Sequence, residues 1–445
     1  MKHAIKTGKA ISLAVLILGS GCEKPVPVDA ISWSQPTTIS HSRDSLGSSF
    51  TLYRWNNSLL ALNGDTKAFS SYFLNEDGKS WKEKLSNQSG SWAILDADAH
   101  SNRVVICRGL MQGDKLDVDF LLGSIHQNGS VSTLSDKAWS GDKTAFFGKT
   151  SVNITLSQSS RPQHPVYARG VIDGPDVYIP YSLEGESHHG KVIVSSETPY
   201  SQGTFFSLDS GITWQREQLS KLEGDFTTIR KTENHYYYFL ANRNEHVLYY
   251  SSKVIGNAWT MLETVNKTLA DYDYGAFGGG DTIHLCWLDR RHEKTRLNPV
   301  SPNRENYEVA YCNRKDSDAS WSKDVILSEG LLYAYSPSIS VEGDKVVVVW
   351  AGVKNDKDGR NEYDPSDIFY ATSKDGGKNW TRPMQVTDGF KAGITSGRPQ
   401  VALHNGVIHL FYIQGKLNYR EVSSGMAKLN QPPWPICYQQ RPFPD

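Results

Sequence analysis

One eight-residue pattern occurs twice in this chain, far apart. Ser207-Leu208-Asp209-Ser210-Gly211-Ile212-Thr213-Trp214 and Ser373-Lys374-Asp375-Gly376-Gly377-Lys378-Asn379-Trp380 both read S-x-D-x-G-x-x-W. A turn that recurs in a strand-rich chain means that one supersecondary unit has been copied, and copied units dictate a repeat architecture. The pattern has a physical logic. Asp and Ser side chains bond backbone groups inside the turn, Gly accepts a positive φ, and Trp buries its ring beneath. Asp209, Trp214, Asp375 and Trp380 are therefore read as structural.

Degenerate copies follow once the Trp is used as an anchor. The stretch 75–81 keeps Asp77, Gly78 and Trp81 but is one residue shorter. The stretch 315–321 keeps an Asp and Trp321, while 252–259 keeps Ser252, Gly256 and Trp259 with Val254 where Asp belongs. Ser135 to Trp139 is the poorest copy. The anchors are 81, 139, 214, 259, 321 and 380, a spacing with room for four short strands plus loops. On these residues the chain resembles the Asp-box (BNR-repeat) β-propellers of the sialidase type. The resemblance implies an all-β ring of blades over nearly the whole mature chain. The box itself is scaffolding and does not name an activity.

The repeat units read 50–85, 92–139, 163–219, 226–262, 274–327 and 337–386, with helical periodicity nearly absent. Lys345-Val346-Val347-Val348-Val349-Trp350 reads as a buried strand. A last unit, 398–422, has no box after it. The chain's start supplies the missing piece, because Trp33-Ser34-Gln35-Pro36 matches Trp380-Thr381-Arg382-Pro383. The N-terminal strand is thus expected to close the last blade and remove a free edge. The count becomes seven blades, or six if the Trp139 unit is an insertion. In the family that the chain resembles, true sialidases have six blades, and seven-bladed relatives include polysaccharide lyases and some glycosidases.

Residues 1–22 read as a signal peptide. Lys2, Lys6 and Lys9 precede an apolar run, then Gly19-Ser20-Gly21-Cys22. Cys22 after small residues resembles a bacterial lipobox, which implies lipidation there and an extracytoplasmic, membrane-anchored protein. A linker at 23–30, a propeller at 31–425 and a C-terminal tail at 426–445 complete the division. No later stretch approaches the roughly 20 apolar residues that a bilayer span needs. Lys and Arg number 47 against 48 Asp and Glu, so nothing favours nucleic acid, and a monomer is expected. Besides Cys22 there are Cys107, Cys286, Cys312 and Cys437; paired and buried free thiols are both open.

The resemblance places a ligand site on one mouth of the ring, lined by the loops between second and third strands. The long ones are 289–306 and 352–367, with 182–191 in the third unit, and long loops on a rigid scaffold carry function. Arg398, Arg290, Arg291 and Arg161 are the candidate substrate-binding cations, since guanidinium forks suit carboxylates such as those of sialic or uronic acids. His188 and His189 join them. As catalytic candidates, Asp65 resembles the sialidase acid/base, Tyr412 is a positional candidate for the nucleophilic Tyr, and Asp289 opens a mouth loop. The family's early Arg motif is missing before Phe50. A lyase would instead use an Arg to neutralise a uronate and a His or Tyr as base, with His292 among the candidates. Asp356, Asp358 and Glu362 form an acidic run that would suit calcium but lacks the spacing of a helix-flanked calcium loop. No other cofactor is expected. The favoured reading is a glycoside hydrolase acting on acidic glycans. The alternatives are a polysaccharide lyase and a non-catalytic glycan- or protein-binding propeller.

Overall fold

In the computed structural model, the residues described are 33–42, 49–55, 58–64, 69–74, 81–86, 91–98, 103–112, 115–125, 131–133, 154–155, 170–184, 200–209, 215–222, 226–242, 245–265, 270–292, 307–354, 365–418, 428–429 and 434–444. Among them the regular structure is strand throughout, apart from one 3-10 turn at Phe390–Ala392. The chain enters through β1 (Thr37–Ser42) and then lays down sheets in sequence order. Sheet 1 holds β2 (Ser49–Trp55), β3 (Ser58–Gly64), β4 (Phe69–Leu74) and β5 (Trp81–Ser86). Sheet 2 holds β6 (Ser91–Asp98), β7 (Arg103–Gln112), β8 (Lys115–Ile125), β9 (Val131–Thr133) and β10 (Ile154–Thr155). Sheet 3 holds β11 (Val171–Asp173), β12 (Asp176–Glu184), β13 (Tyr200–Ser207) and β14 (Gln215–Ser220). Sheet 4 holds β15 (Phe226–Lys231), β16 (His235–Asn242), β17 (Val247–Val254) and β18 (Glu263–Thr264). Sheet 5 holds β19 (Ala270–Gly279), β20 (Thr282–Asp289), β21 (Glu308–Lys315) and β22 (Val325–Ile326). Sheet 6 holds β23 (Leu331–Glu342), β24 (Lys345–Lys354), β25 (Asp367–Ser373) and β26 (Met384–Gln385). The last sheet, sheet 7, holds β27 (Ile394–His404), β28 (Val407–Asn418), β29 (Lys428–Leu429) and β30 (Trp434–Pro442), and takes β1 as its outer strand.

Every pairing among the described strands is antiparallel, and in sheets 1, 3, 4, 5 and 6 the strands pair in chain order, the arrangement of propeller-type folds. β1 pairs with β30 from Thr37–Tyr438 to Ser42–Trp434, so the chain's start and end share one sheet. Trp434–Pro442 lies in the stretch that the sequence reading sets aside as a tail. Its Pro435 and the Pro432-Pro433 before it hide the alternation, but both edges of the strand are paired.

Where its side chains are described, the second strand of a sheet is apolar on both faces because it is covered on both sides. In β24, Val346, Val348 and Trp350 face sheet 5, while Val347, Val349 and Ala351 face sheet 7. Similar clusters lie between sheets 3 and 4, 4 and 5, and 7 and 1. Sheet 2 bridges the remaining gap, with β6 against both β2 and β11. Cys286 and Cys312 lie on neighbouring strands but stay free thiols. Cys286 pairs with Tyr311 and Leu285 with Cys312, and that offset sends the two sulfurs to opposite faces of sheet 5. Cys437 is also a buried free thiol.

As far as Asp209, the described start of the first full turn repeats the hydrogen bond that opens the second. Ser207 Oγ donates to Asp209 Oδ1 at 2.8 Å, as Ser373 Oγ does to Asp375 Oδ1 at 2.8 Å. Asp375 also accepts from Lys378 N–H, Asn379 N–H and the Asn379 amide, and the Trp380 indole donates to Gly377 C=O at 2.9 Å. These donors, led by the Asn379 backbone N–H, hold the Asp375 carboxyl down to about 2. In the degenerate turn, Asp316 points to the previous sheet instead, accepting from Thr232 Oγ1 at 2.8 Å and Tyr237 Oη at 3.1 Å.

The anchoring tryptophans among the described residues do one job. Each meets a tyrosine of the preceding sheet edge-on: Trp380 with Tyr311, Trp321 with Tyr250, and Trp259 with Tyr178, at centroid distances of 4.7, 5.3 and 6.4 Å. Trp81 meets Tyr438 at 5.4 Å, and Trp33 meets Tyr370 at 5.4 Å. Trp33 therefore fills in sheet 7 the place that Trp380 fills in sheet 6. Such aromatic pairs contribute about 0.5–1.5 kcal/mol each beyond the area they bury.

Candidate functional site

Antiparallel order sorts the connections to two ends. The turns within strand pairs one–two and three–four lie at one end, here the turn end. The second-to-third-strand loops and the links between sheets lie at the other, the mouth. Asp289 closes β20 at the mouth and faces Glu308, which opens β21.

Asp289 is fully buried and all its acceptor capacity is used. Its Oδ2 accepts from the Trp287 indole at 3.0 Å and from Arg291 Nη2 at 2.6 Å. Its Oδ1 accepts from Arg291 N–H at 2.9 Å and Nε at 2.8 Å. Arg291 reaches Asp324 with its other nitrogen, and the Asp289 hydrogen bonds raise its pKa despite burial. This group is a fixed, charged strut. Position 352 is the equivalent of 289 in sheet 6, and it must be Gly, because a Cβ there would lie 2.9 Å from Tyr333 C=O.

Beside the strut stands a His–carboxylate pair. His292 Nδ1 lies 2.6 Å from Oε2 of the buried Glu308, while the His292 side chain is 48% exposed. A buried carboxylate that orients a half-exposed imidazole is the arrangement of a general base. Next to Glu308 a row of aromatic rings begins. Tyr307 and Tyr333 meet at 5.4 Å, and Tyr333 and Tyr335 at 5.6 Å. The row crosses from sheet 5 to sheet 6, joined by an Ala334 N–H to Tyr307 C=O bond of 3.1 Å. At its near end the Arg290 guanidinium lies 5.7 Å from the Tyr307 ring centroid, and Nη1 is 2.8 Å from His246 Nε2 in sheet 4.

At the far end is Arg398. It is half-buried in the mouth half of β27, and its φ of 51° is left-handed. Among the described residues it has neither a hydrogen bond nor an ion pair, whereas Arg291 has both. Its charge is felt at Tyr335, whose pKa burial raises while the bonds to Ser366 and Thr395, and then Arg398, pull it back. The reason for the backbone geometry is a bulge. Pairing between β27 and β28 slips between Gly397 and Gln400, setting the two residues Arg398-Pro399 opposite the single Tyr412. The same slip occurs in sheet 6 at Ser336-Pro337, where Ser336 also has a φ of 51°. The X-Pro pair recurring at 336 and 398 was the sequence signal for this device.

The remaining candidates fall as follows. Tyr412 is 1% exposed, its hydroxyl donates to Gln439 Oε1 at 2.8 Å, and burial raises its pKa. By strand register it stands where Trp287 and Trp350 stand in sheets 5 and 6, an aromatic core position. Asp65 follows directly on the mouth end of β3 but, with Arg161, His188 and His189, lies outside the described residues. The same holds for Asp77, Trp214, Cys22 and the acidic run of Asp356, Asp358 and Glu362. Among the described residues, no group of three or more His, Cys, Asp or Glu is placed to hold a metal. The sequence reading passed over His246, Tyr307, Glu308, Tyr333 and Tyr335. Their meeting depends on contacts between sheets, which no local pattern encodes.

Neither a protein-family model nor a curated relative matches the chain. Among solved structures, the NanB sialidase of Streptococcus pneumoniae is 12% identical, with a TM-score of 0.41 over 92% of this chain and 70% of that one. The polysaccharide lyase Uly1 is 9% identical, with a TM-score of 0.46 over 98% and 96%. An intramolecular trans-sialidase of Ruminococcus gnavus is 12% identical, with a TM-score of 0.38 over 93% and 94%. These are distant likenesses, and the chemistry of the site follows from its own residues.

Proposed function

We propose that this chain is an exported, lipid-anchored Asp-box propeller of seven blades that acts on acidic glycans at its mouth. Export and anchoring rest on residues 1–22 and the placement of Cys22. Seven blades closed by the N-terminal strand are supported by the β1–β30 ladder and by the Trp33 and Trp81 contacts on either side of sheet 7. The functional reading is carried by one observation. The mouth carries a His–Glu pair, a row of tyrosines beside it and a guanidinium, Arg398, that has no acidic partner among the described residues.

Among reactions on such glycans, elimination suits these residues best. Arg290, beside Tyr307 at the same end of the row as His292, would pair with the uronate carboxylate, making the neighbouring C–H more acidic. His292, oriented by Glu308, would take that proton. The bond from the adjacent carbon to the linking oxygen then breaks, and the oxygen leaves with the electron pair and takes a proton from solvent. Hydrolysis, the reaction that the sequence favours, would need a carboxylate in the role of acid. Asp289 is committed to Arg291 and Trp287, so that reading rests on Asp65.

The test is a screen of the purified chain on sialylated and uronate-containing glycans, following new reducing ends and the ultraviolet absorbance of an unsaturated uronate. Both signals together support elimination. Reducing ends alone mean hydrolysis and move the chemistry to Asp65. Binding with neither signal makes the chain a glycan-binding propeller, and no binding at all rejects the proposal.

A further inference from the structure

We infer that the ligand is a uronate polymer held along a track rather than a single terminal sugar held in a pocket. This rests on the acidic-glycan reading above and adds the mode of recognition. The track runs through His246, Arg290, Tyr307, Tyr333, Tyr335 and Arg398. From His246 to Tyr335 consecutive members are neighbours, 2.8 Å from His246 to Arg290, 5.7 Å from Arg290 to the Tyr307 ring, then 5.4 and 5.6 Å along the tyrosines, and a Cβ on Gly397, the neighbour of Arg398, would lie 3.7 Å from the Tyr335 hydroxyl. It therefore crosses from sheet 4 to sheet 7, wider than a site for one ring. Cationic groups stand at both ends and aromatic faces between them. A chain of sugar rings bearing carboxylates presents the complement: apolar ring faces for tyrosine, and anions spaced along the chain for guanidinium.

The backbone singles out the same ends. Among the described residues, four non-glycine residues have positive φ, and three of them, His246, Ser336 and Arg398, lie at the mouth. Strain of this kind clusters at ligand clamps, because the surrounding structure must hold it. Two clamps on sheets separated by two others suit a ligand that spans the interval.

The experiment is calorimetric titration of the purified full chain with galacturonic acid and its dimer, tetramer and octamer, with neutral dextran as control. Affinity is expected to rise with length, roughly tenfold or more from monomer to octamer. Tyr333→Ala should remove most of that gain, and Tyr333→Phe, which keeps the ring, should retain it. Melting curves of both variants guard against a folding defect. Equal affinity for monomer and octamer overturns the track and leaves the acidic-glycan reading standing. Equal binding of dextran also overturns it, since charge is then not recognised. No binding of uronates at any length overturns both.

Discussion

The two ends of this molecule handle difficult backbone conformations in opposite ways. At the turn end every positive φ among the described residues falls on glycine or on Asn405: Gly174, Gly256, Gly280, Gly343, Gly376, Gly377 and Gly406. Those residues adopt it at little cost. At the mouth His246, Ser336 and Arg398 adopt it as well, and the last two do so before proline, where extended backbone is the norm. The polar groups differ in the same sense. Asp375 is closed in upon its own turn, and Asp316 upon the neighbouring sheet. His292 is bound to Glu308 yet 48% exposed, and Arg398 is half-buried with no hydrogen bond among the described residues. The turn end is built for stability, and the mouth retains strain and charge that stability does not require.

The largest effect expected from that contrast is acid unfolding through the turn-end half of the sheets. His284 and His409 are buried against Tyr311 and Tyr438 at 2.7 and 2.8 Å, and burial pushes them down to about 4 and about 3. Both are neutral in the folded state near neutral pH. Unfolded, each takes a proton below about 6.5, so stability falls as pH drops from there toward 4 and then 3. The loss is a few kcal/mol per histidine. Urea unfolding between pH 7 and pH 4 should show it, and His284→Gln with His409→Gln should flatten the slope. Asp375 adds nothing in that window. Its depressed pKa costs stability only as pH falls from its ordinary 3.8 through about 2. A flat profile in the wild-type chain would refute the buried-neutral state.

Next is Gly377→Ala. The residue has a φ of 91°, and a Cβ would fall 2.0 Å from the Tyr311 hydroxyl. That hydroxyl is fixed by His284 and Asn313 and cannot withdraw cheaply. A loss of about 3 kcal/mol or more is expected, read as a lower urea midpoint at unchanged slope. A loss below about 1 kcal/mol would mean that the Trp380 joint carries little of the fold's stability.

Much of the turn end was legible in the sequence, and the reason is local. The S-x-D motif, the anchoring tryptophans and the match of Trp33-Ser34-Gln35-Pro36 to Trp380-Thr381-Arg382-Pro383 each specify a conformation within a few residues. Trp33 meeting Tyr370 edge-on as Trp380 meets Tyr311 follows from that match. The mouth was less legible. Arg398 stood out as a guanidinium suited to a carboxylate, but Tyr307, Tyr333 and Tyr335 come together only across two sheets. Tyr412 looked available because its phase along β28 relative to Trp287 and Trp350 becomes visible only with the strand register.

At the mouth, Glu308→Gln tests whether the His–Glu pair serves chemistry. The substitution keeps shape and removes the charge that orients His292. It should lower kcat on the active glycan by tenfold to roughly a hundredfold, with a smaller change in KM. An equal rise in KM at constant kcat would assign Glu308 to binding.

The smallest effect is the one that separates the two ends most cleanly. Arg398→Gly removes a side chain that has no protein partner among the described residues and gives its φ of 51° to the residue best able to adopt it. At the turn end, replacing a positive-φ glycine with alanine must destabilise. Here the reverse exchange should stabilise by about 1 kcal/mol, a balance between relieved strain and the greater freedom of glycine in the unfolded chain. Affinity for uronate oligomers should fall in the same protein. A variant that gains stability and loses its ligand would show that the strain at Arg398 is kept for recognition. A variant that loses both would place Arg398 among the residues that hold the sheets together, and the contrast between the two ends would fail at its sharpest point.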